Sequence, residues 1–215
     1  ARAVVKSGAE VLTQCEVQGF ETDKDGITAV QTSLGPLFAR DVVLAAGAWS
    51  GRLGRTLGLR LPVRPARGIS LTMPAQGQGT SIPCFLVDKR VVATPWKSGF
   101  RLGGRLELSG FDTQVQPRHL QILKRSFQEY FHPKLDSSQG EEWAGLRPMT
   151  YDDLPVLGRS RRLSNLFLAT GHNMLGLSMA PGSGQILADL ITGQPPAIDI
   201  SSFDPDRFTA GRSSR

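Results

Sequence analysis

The first 60 residues alternate apolar and polar positions in short runs, a period typical of strands. Two such runs flank Asp25-Gly26, a dipeptide favoured in tight turns, so the sequence predicts an antiparallel hairpin there. The run from 41 to 47 is instead continuously apolar and ends in small residues. That pattern predicts a strand buried on both faces of a parallel sheet. We expect a short helix over residues 49–57.

From residue 61 to 149 the alternating runs are longer, and one helical segment lies among them. Leu120, Leu123, Phe127 and Phe131 recur at helical spacing, so residues 119–131 are predicted to form an amphipathic helix on a sheet. Several strands followed by a helix favour an α+β domain over further βαβ units.

After residue 150 the pattern returns to short buried strands and glycine-rich turns. One buried strand ends at Gly171, and the loop after it is predicted to become a helix near Ser178 that closes at Gly193. The predicted fold class is α/β plus α+β. The predicted segments are an α/β part at 1–60, an α+β domain at 61–149, a return of the α/β part at 150–196 and a tail at 197–215.

Composition and charge narrow the classes of protein. The chain lacks the run of about 20 apolar residues that a membrane helix needs, and we do not expect its first residues to be a secretory signal. Cys15 and Cys84 stand apart and outside any metal-ligand spacing, which favours a reducing compartment and no metal site. The formal net charge is +6, but the basic residues are scattered. We therefore expect a cytoplasmic protein that binds no nucleic acid. Any membrane contact is expected to be peripheral, on the inner face of the cytoplasmic membrane.

The stretch after Gly171 carries the strongest chemical signal. A buried strand delivers the chain to a loop of small residues, and the N–H groups at the start of the next helix favour negative charge. Gly176 would allow a close backbone approach, and Gly182 with Gly184 would let the helix pack tightly on the sheet. The alternative is an ordinary strand, loop and helix with packing glycines.

Two further segments point to a ligand. Residues 45–47 end a buried strand with Ala-Ala-Gly, at the sheet edge where open α/β folds bind cofactors. Arg147 precedes Pro148, which favours extended backbone at the arginine. A guanidinium in that position can bind a carboxylate through two parallel hydrogen bonds. The alternative is an ion pair between Arg147 and Asp152 or Asp153.

These segments together resemble one family. VVLAAGAWS, PVRPARGISLTMP, FRLGGRLELSGFD, GLRPMTYDDLPVLG and NLFLATGHNMLGLSMAPGSGQILADLI follow one another in the order and spacing of the D-amino-acid oxidase superfamily of FAD enzymes. Within it the resemblance is greatest to the bacterial D-amino-acid dehydrogenase small subunit, and it extends to about residue 204. It implies part of an FAD-binding Rossmann-like domain with an inserted substrate domain built on a mixed or antiparallel sheet. The G-x-G-x-x-G half of the FAD-binding domain is absent from the sequence.

The resemblance also assigns residues to the cofactor and the substrate. Arg147 matches the arginine that binds the substrate carboxylate, and the loop after Gly171 matches the one whose backbone faces the flavin pyrimidine edge. Tyr151 follows the Arg-Pro pair and is a candidate to line the substrate site or to pack. Glu107 lies in the substrate-domain sheet and receives no chemical role. The implied FAD-binding residues are Val17, Ala46, Gly47, Trp49, Gly171, His172, Asn173, Met174, Leu175, Gly176, Leu177 and Ser178.

The implied reaction is oxidative deamination of a D-amino acid, with hydride passing from the α carbon to flavin N5 and a keto acid and ammonia as products. No catalytic residue is assigned, because an amine that arrives neutral needs no general base. His119 and His132 are expected to be surface or capping residues. Quinone and oxygen both stay open as electron acceptors.

Other substrates and a non-catalytic role remain open at the level of sequence. A same-fold oxidase or dehydrogenase acting on glycine, sarcosine or hydroxyproline would use the same arginine. A truncated subunit without activity is the further alternative. We expect a longer chain or a partner polypeptide to supply the missing half, weak or no FAD binding without it, and an unpaired sheet edge where its strands would lie.

Overall fold

The computed structural model describes residues 2–74, 80–131, 136, 138 and 140–208. Within these residues the chain forms three sheets and four α-helices. The strands are β1 (Val17–Thr22), β2 (Ile27–Thr32), β3 (Gly35–Leu37), β4 (Val42–Leu44), β5 (Arg64–Pro74), β6 (Cys84–Leu86), β7 (Val91–Trp96), β8 (Gly99–Glu107), β9 (Glu141–Met149), β10 (Val156–Arg159) and β11 (Leu166–Thr170). The helices are α1 (Arg2–Lys6), α2 (Ser50–Thr56), α3 (Pro117–Gln128) and α4 (Gly176–Ile191), with short 3-10 helices at Gly47–Trp49, Ser201–Phe203 and Pro205–Phe208.

The N-terminal sheet has the order β1-β2-β3 and is antiparallel throughout. Its first turn is stabilised by Asp23, whose Oδ1 accepts hydrogen bonds from the N–H groups of Asp25 (2.8 Å) and Gly26 (2.9 Å). The Asn165 side chain joins this hairpin to the rest of the chain, because it accepts from the Ile27 N–H and donates to the Ile27 carbonyl. The predicted hairpin is therefore confirmed.

The second sheet has the order β10-β11-β4 and is mixed. β4 pairs with β11 in parallel, as the apolar runs predict, and β10 pairs with β11 antiparallel. β11 is almost wholly buried. β4 lies at the edge of the sheet, and Val43 is 40% exposed. The expected burial of this strand on both faces is wrong for Val43, because no described element covers that face.

The third sheet has the order β6-β7-β8-β5-β9 and is antiparallel, with α3 packed on one face. Ile69, Leu71 and Met73 alternate along β5 and bury their side chains against Leu123 and Phe127 of the predicted amphipathic helix. The sheet and helix share this core, as the strand and helix periods indicate.

α3 begins with a capping box in which Gln116 and His119 exchange hydrogen bonds between side chain and backbone. His119 is therefore a capping residue, as expected, but it is buried (1% exposed) and not on the surface. His132 lies outside the described residues.

A buried arginine joins β5 to the end of β8. Arg67 is only 4% exposed and pairs with Glu107 (2.7 Å) and Asp112 (2.6 Å), and it also donates to the Gln114 carbonyl. The Arg67 guanidinium holds the pKa of the Glu107 carboxyl below its usual value. Glu107 therefore has a structural role that the sequence leaves unassigned.

α4 packs on β10 and β11 through Ser183, Ile186 and Leu187. It begins at Gly176, two residues before the predicted start near Ser178. The expected packing role of Gly182 and Gly184 is wrong, because both are exposed and a Cβ added at either would meet no atom within 4 Å. The helix presents these glycines away from the sheet. In the part of the chain that the structure describes, no helix combines the length and apolar character required to cross a bilayer.

Candidate active site

Two loops meet where the parallel strands β4 and β11 end. The Thr170 hydroxyl donates to the Gly47 carbonyl at 3.1 Å, so the loop after β4 lies beside the loop after β11. Gly171 has a φ of +72°, and a Cβ there would lie 2.7 Å from Cγ2 of Thr150. Only glycine fits this position without displacing its neighbour. Ala46 directly precedes the Gly47–Trp49 turn, which packs against β5 and β9.

The N-terminus of α4 lies at the same place and has no side-chain cap. Leu175 occupies the cap position and provides no side-chain hydrogen bond. The first N–H groups of a helix have no intrahelical acceptor, so this end attracts negative charge or a hydrogen-bond acceptor. Met174 and Leu177 beside it are 69% and 92% exposed. Apolar side chains around an uncapped helix start are typical of a surface that another group covers.

His172 is attached to this helix through its ring. Its Nε2 lies 2.9 Å from the hydroxyl of Ser183, which is on the packing face of α4 about two turns after its start. Burial lowers the pKa of His172 from its usual value, which favours the neutral ring. The ring therefore orients the loop without placing a positive charge in it.

Asn173 joins this loop to the end of β9. Its N–H donates to the Pro148 carbonyl (3.1 Å), and its side-chain oxygen accepts from the Thr150 N–H (2.9 Å). Asn173 has a φ of +53°, a region that asparagine tolerates better than most residues. Because Pro148 follows Arg147 directly, the substrate-binding candidate and the flavin-edge candidate lie on adjoining segments.

The side chain of Arg147 extends from β9 to β5 and lies over Gly68. The register places Arg147 opposite Ala66 in β5, and a Cβ built on Gly68 would lie only 1.6 Å from Nη1 of the arginine. The absence of a side chain at Gly68 therefore provides the space for the guanidinium. Gly68 is a functional candidate that sequence reasoning missed, and the available signal was a glycine inside a strand pattern.

The Arg147 guanidinium has no anionic partner among the described residues. Nη1 is buried without a hydrogen bond, and burial lowers the pKa of Arg147. Asp152, the alternative partner, instead pairs with Arg207 at 2.8 Å. Nor does Asp153 form an ion pair with it in the described part of the chain. A buried donor without an acceptor is costly, so a carboxylate ligand would complete its hydrogen bonding.

The remaining predicted site residues lie further from this junction or contact other groups. Val17 begins β1 opposite Thr32 in the N-terminal sheet. Trp49 is half exposed, and its ring lies 5.8 Å from that of Phe111. Tyr151 is 75% exposed and contacts the Phe208 ring edge-on. The ligand contacts assigned to the site residues stay predictions.

The loops after the parallel strands β4 and β11 thus lie beside the antiparallel sheet that holds Arg147, an arrangement compatible with a flavin-dependent oxidoreductase. The family model described as DAO, FAD dependent oxidoreductase, matches residues 1–190, and the chain belongs to this family. D-Amino acid dehydrogenase of Granulibacter bethesdensis is 36% identical over 97% of this chain and 50% of the relative. D-Amino acid dehydrogenase 2 of Mesorhizobium japonicum is 37% identical over 93% of this chain and 48% of the relative.

Solved structures show the same fold. Glycine oxidase from Geobacillus kaustophilus is 29% identical and superposes with a TM-score of 0.80, over 95% of this chain and 55% of that protein. L-Proline dehydrogenase from P. horikoshii is 25% identical with a TM-score of 0.84, over 98% of this chain and 58% of that protein. The chain thus spans about half the length of the curated relatives it matches.

The residues present fit one edge of the family's FAD cofactor. The uncapped start of α4 and the glycine loops after β4 and β11 leave backbone donors at a place that a flavin pyrimidine edge would occupy. The 215 residues contain no G-x-G-x-x-G turn to bind the pyrophosphate. The described residues therefore provide backbone donors that would suit a flavin edge, whereas the sequence holds no turn of the kind that would bind the pyrophosphate.

Proposed function

We propose that this chain forms the flavin-edge and substrate-carboxylate part of an FAD-dependent enzyme that deaminates D-amino acids oxidatively. The observation that carries the proposal is the Arg147 guanidinium, which has no anionic partner in the described residues and whose Nη1 is buried without a hydrogen bond. Arg147 lies one residue from the segment bonded to the loop before α4. Relatives named D-amino acid dehydrogenase support the substrate class.

In this proposal the chain's own residues position the reacting carbon. Arg147 binds the substrate carboxylate through its planar fork and so limits rotation of the α carbon. The N–H groups at the start of α4 would hold the pyrimidine edge of the cofactor and favour negative charge there. Bound FAD would accept the hydride from the α carbon; the amine would release its proton to water, and water would hydrolyse the imino acid to a keto acid and ammonia.

The relatives are about twice as long, so the proposal includes a further polypeptide segment or a partner subunit that supplies the phosphate-binding turn. Flavin absorbance after FAD is added, first to this chain and then to the chain together with that segment, tests this part. Binding only in the second case supports the proposal. Tight binding by the 215 residues alone would contradict it, and no binding in either case would favour a non-catalytic subunit.

Steady-state kinetics with paired D- and L-amino acids test the reaction. In the flavin-containing enzyme we expect Arg147→Ala to raise KM for a D-amino acid by about 100-fold with flavin retained, because a charge-assisted pair is lost. Arg147→Lys should recover only part of this, since lysine cannot form the fork. Arg55→Ala is the matched control, because the guanidinium of Arg55 on α2 is exposed and forms no ion pair among the described residues.

A second substrate class has specific support. The glycine oxidase and the L-proline dehydrogenase resemble this chain over at least 95% of its length. Glycine, sarcosine, L-proline and hydroxyproline therefore belong in the same assay panel. A preference for one of them would replace the D-amino acid in the proposal and leave the role of Arg147 unchanged. Reduction of a quinone or release of hydrogen peroxide then identifies the electron acceptor.

A further inference from the structure

The face of the five-stranded sheet opposite α3 carries a pair of glycines near the edge formed by β9. Gly68 and Gly145 lie directly opposite each other in β5 and β9. Arg147 covers Gly68, and Trp143 covers Gly145, where an added Cβ would lie 2.0 Å from the indole ring. Both covering side chains come from β9, and the guanidinium lies over Gly68 of β5 while the indole lies over Gly145 of β9 itself.

Ser70 is the next residue on this face. It follows Gly68 by two positions, so both point to the same side of β5. Ser70 is 5% exposed, and its hydroxyl has no hydrogen-bond partner among the described residues. Nη1 of Arg147 is in the same condition. Two buried donors without acceptors therefore share one small area of the sheet.

There is open space beside Ser70. Gly103 lies opposite it in β8, and a Cβ added there would meet only the Ser70 Cβ, at 4.0 Å. Gly103 has an ordinary backbone conformation, so strain does not require a glycine at this position. The space over Gly103 is bounded by Ser70, and Trp143 lies opposite Ser70 on the other neighbouring strand.

The spacing of the two donors suits a carboxylate. Nη1 lies 1.6 Å from the position that a Cβ of Gly68 would take, and side chains two residues apart on a strand are about 6.7 Å apart. Two hydrogen bonds of about 2.8 Å with a carboxylate between them span a comparable distance.

We propose that Ser70 is a second contact for the substrate carboxylate, in which its hydroxyl donates to one oxygen while Arg147 binds the other, and that the rest of the substrate occupies the space over Gly103. This inference rests on the proposed function in taking an amino acid as the ligand. Ser70 would act as a positioning residue that fixes the tilt of the carboxylate plane.

Ser70→Ala in the flavin-containing enzyme tests the contact, with propionate as a probe that has the carboxylate but no amine. Propionate binding is followed by the change in the flavin spectrum. We expect Kd to rise about 10- to 100-fold, because a hydrogen bond to a charged group is lost. The Tm without propionate should stay unchanged or rise, because the variant removes a buried hydroxyl that has no partner.

A hydroxyl with a purely structural role predicts the opposite pattern, a lower Tm with an unchanged Kd for propionate, and that pattern would overturn the inference. Ser126→Ala is the matched control, since Ser126 is 6% exposed and lies on α3, against the other face of the sheet. Propylamine, which lacks the carboxylate, should bind the Ser70 variant as well as the parent enzyme. Equal loss of both probes would also count against the contact.

Gly103→Val tests the space independently. The added side chain should fill it and raise KM for D-alanine at least about tenfold, with flavin retained; an unchanged KM would remove the space over Gly103 from the site.

Failure of the proposed function can be distinguished from failure of the proposed role of Ser70. If no amino acid is oxidised but the Arg147 and Ser70 variants lose propionate, the carboxylate site stands and the reaction is wrong. If D-amino acids are oxidised and Ser70→Ala behaves as the parent, only the role of Ser70 falls.

Discussion

Gly68→Ala should displace the guanidinium of Arg147 without changing the arginine itself. The new methyl group would lie 1.6 Å from Nη1, 2.3 Å from Cζ and 2.5 Å from Nη2 of Arg147. An ordinary contact begins at 3.4 Å, so the guanidinium must move by at least about 1.8 Å. A carboxylate bound through hydrogen bonds of about 2.8 Å cannot keep both of them after such a shift.

The expected effect is large enough to measure. Loss of one hydrogen bond to a charged group costs about 1.5–3 kcal/mol, so KM for a D-amino acid should rise about 10- to 150-fold in the flavin-containing enzyme. kcat should also fall if the α carbon is displaced from its path to the flavin. Flavin absorbance of the purified variant should match that of the parent, because Gly68 lies on the substrate sheet and not on the loops after β4 and β11.

A double-mutant cycle with Arg147→Ala identifies the route of the effect. If Gly68→Ala acts only by moving the guanidinium, it should add little in the Arg147→Ala background. Gly19→Ala in β1 is the control glycine substitution, since a Cβ there meets nothing within 4 Å. An unchanged KM in Gly68→Ala, with the substitution confirmed by mass, would refute the assignment of the carboxylate to this guanidinium.

Further substitutions test the cofactor loop and one ion pair. Gly176→Val should reduce the FAD content of the purified enzyme, because a β-branched side chain would obstruct approach to the N-terminus of α4; full occupancy would contradict that reading. Asp152→Asn should lower Tm by about 3 °C at pH 7, corresponding to ~1 kcal/mol, because Arg207 loses its anionic partner. Arg207 holds the pKa of Asp152 below its usual value, so this stabilisation is present above about pH 4 and is lost as the pH falls through the folded-state pKa. The difference in Tm between parent and variant should therefore shrink in acid, and a constant difference from pH 7 to pH 3 would exclude the ion pair as its source.

Features with a local cause were predictable from the sequence. The Asp25-Gly26 turn, the two short apolar strands β4 and β11 and the amphipathic face of α3 each follow from residues close together in the chain. The predicted start of α4 lies two residues after the observed one, because Leu175, which occupies the cap position, is not a residue type that caps helices. The sequence predicts a loop there, but it contains no capping residue at the point where the loop ends and the helix begins.

Features that depend on long-range register were not predictable. Gly68 and Arg147 meet only because β5 pairs with β9 across a separation of many residues, and no local pattern encodes that register. The pairing of Asp152 with Arg207 had the same obstacle, since the C-terminal segment brings the arginine back to β9. Five motifs in their order and spacing carried the family resemblance, whereas the groups around Arg147 follow only from the three-dimensional structure.

The two hydrogen bonds of Asn173 constrain how the substrate range of such an enzyme can change. They connect the strand that holds Arg147 to the loop before α4, so a substitution that shifts one segment also shifts the other. Mutations near this junction would alter the angle of approach for every substrate alike. New side-chain preferences are therefore expected to arise farther along the sheet, near Gly103 and Trp143, where a change of shape leaves the reacting bond in place.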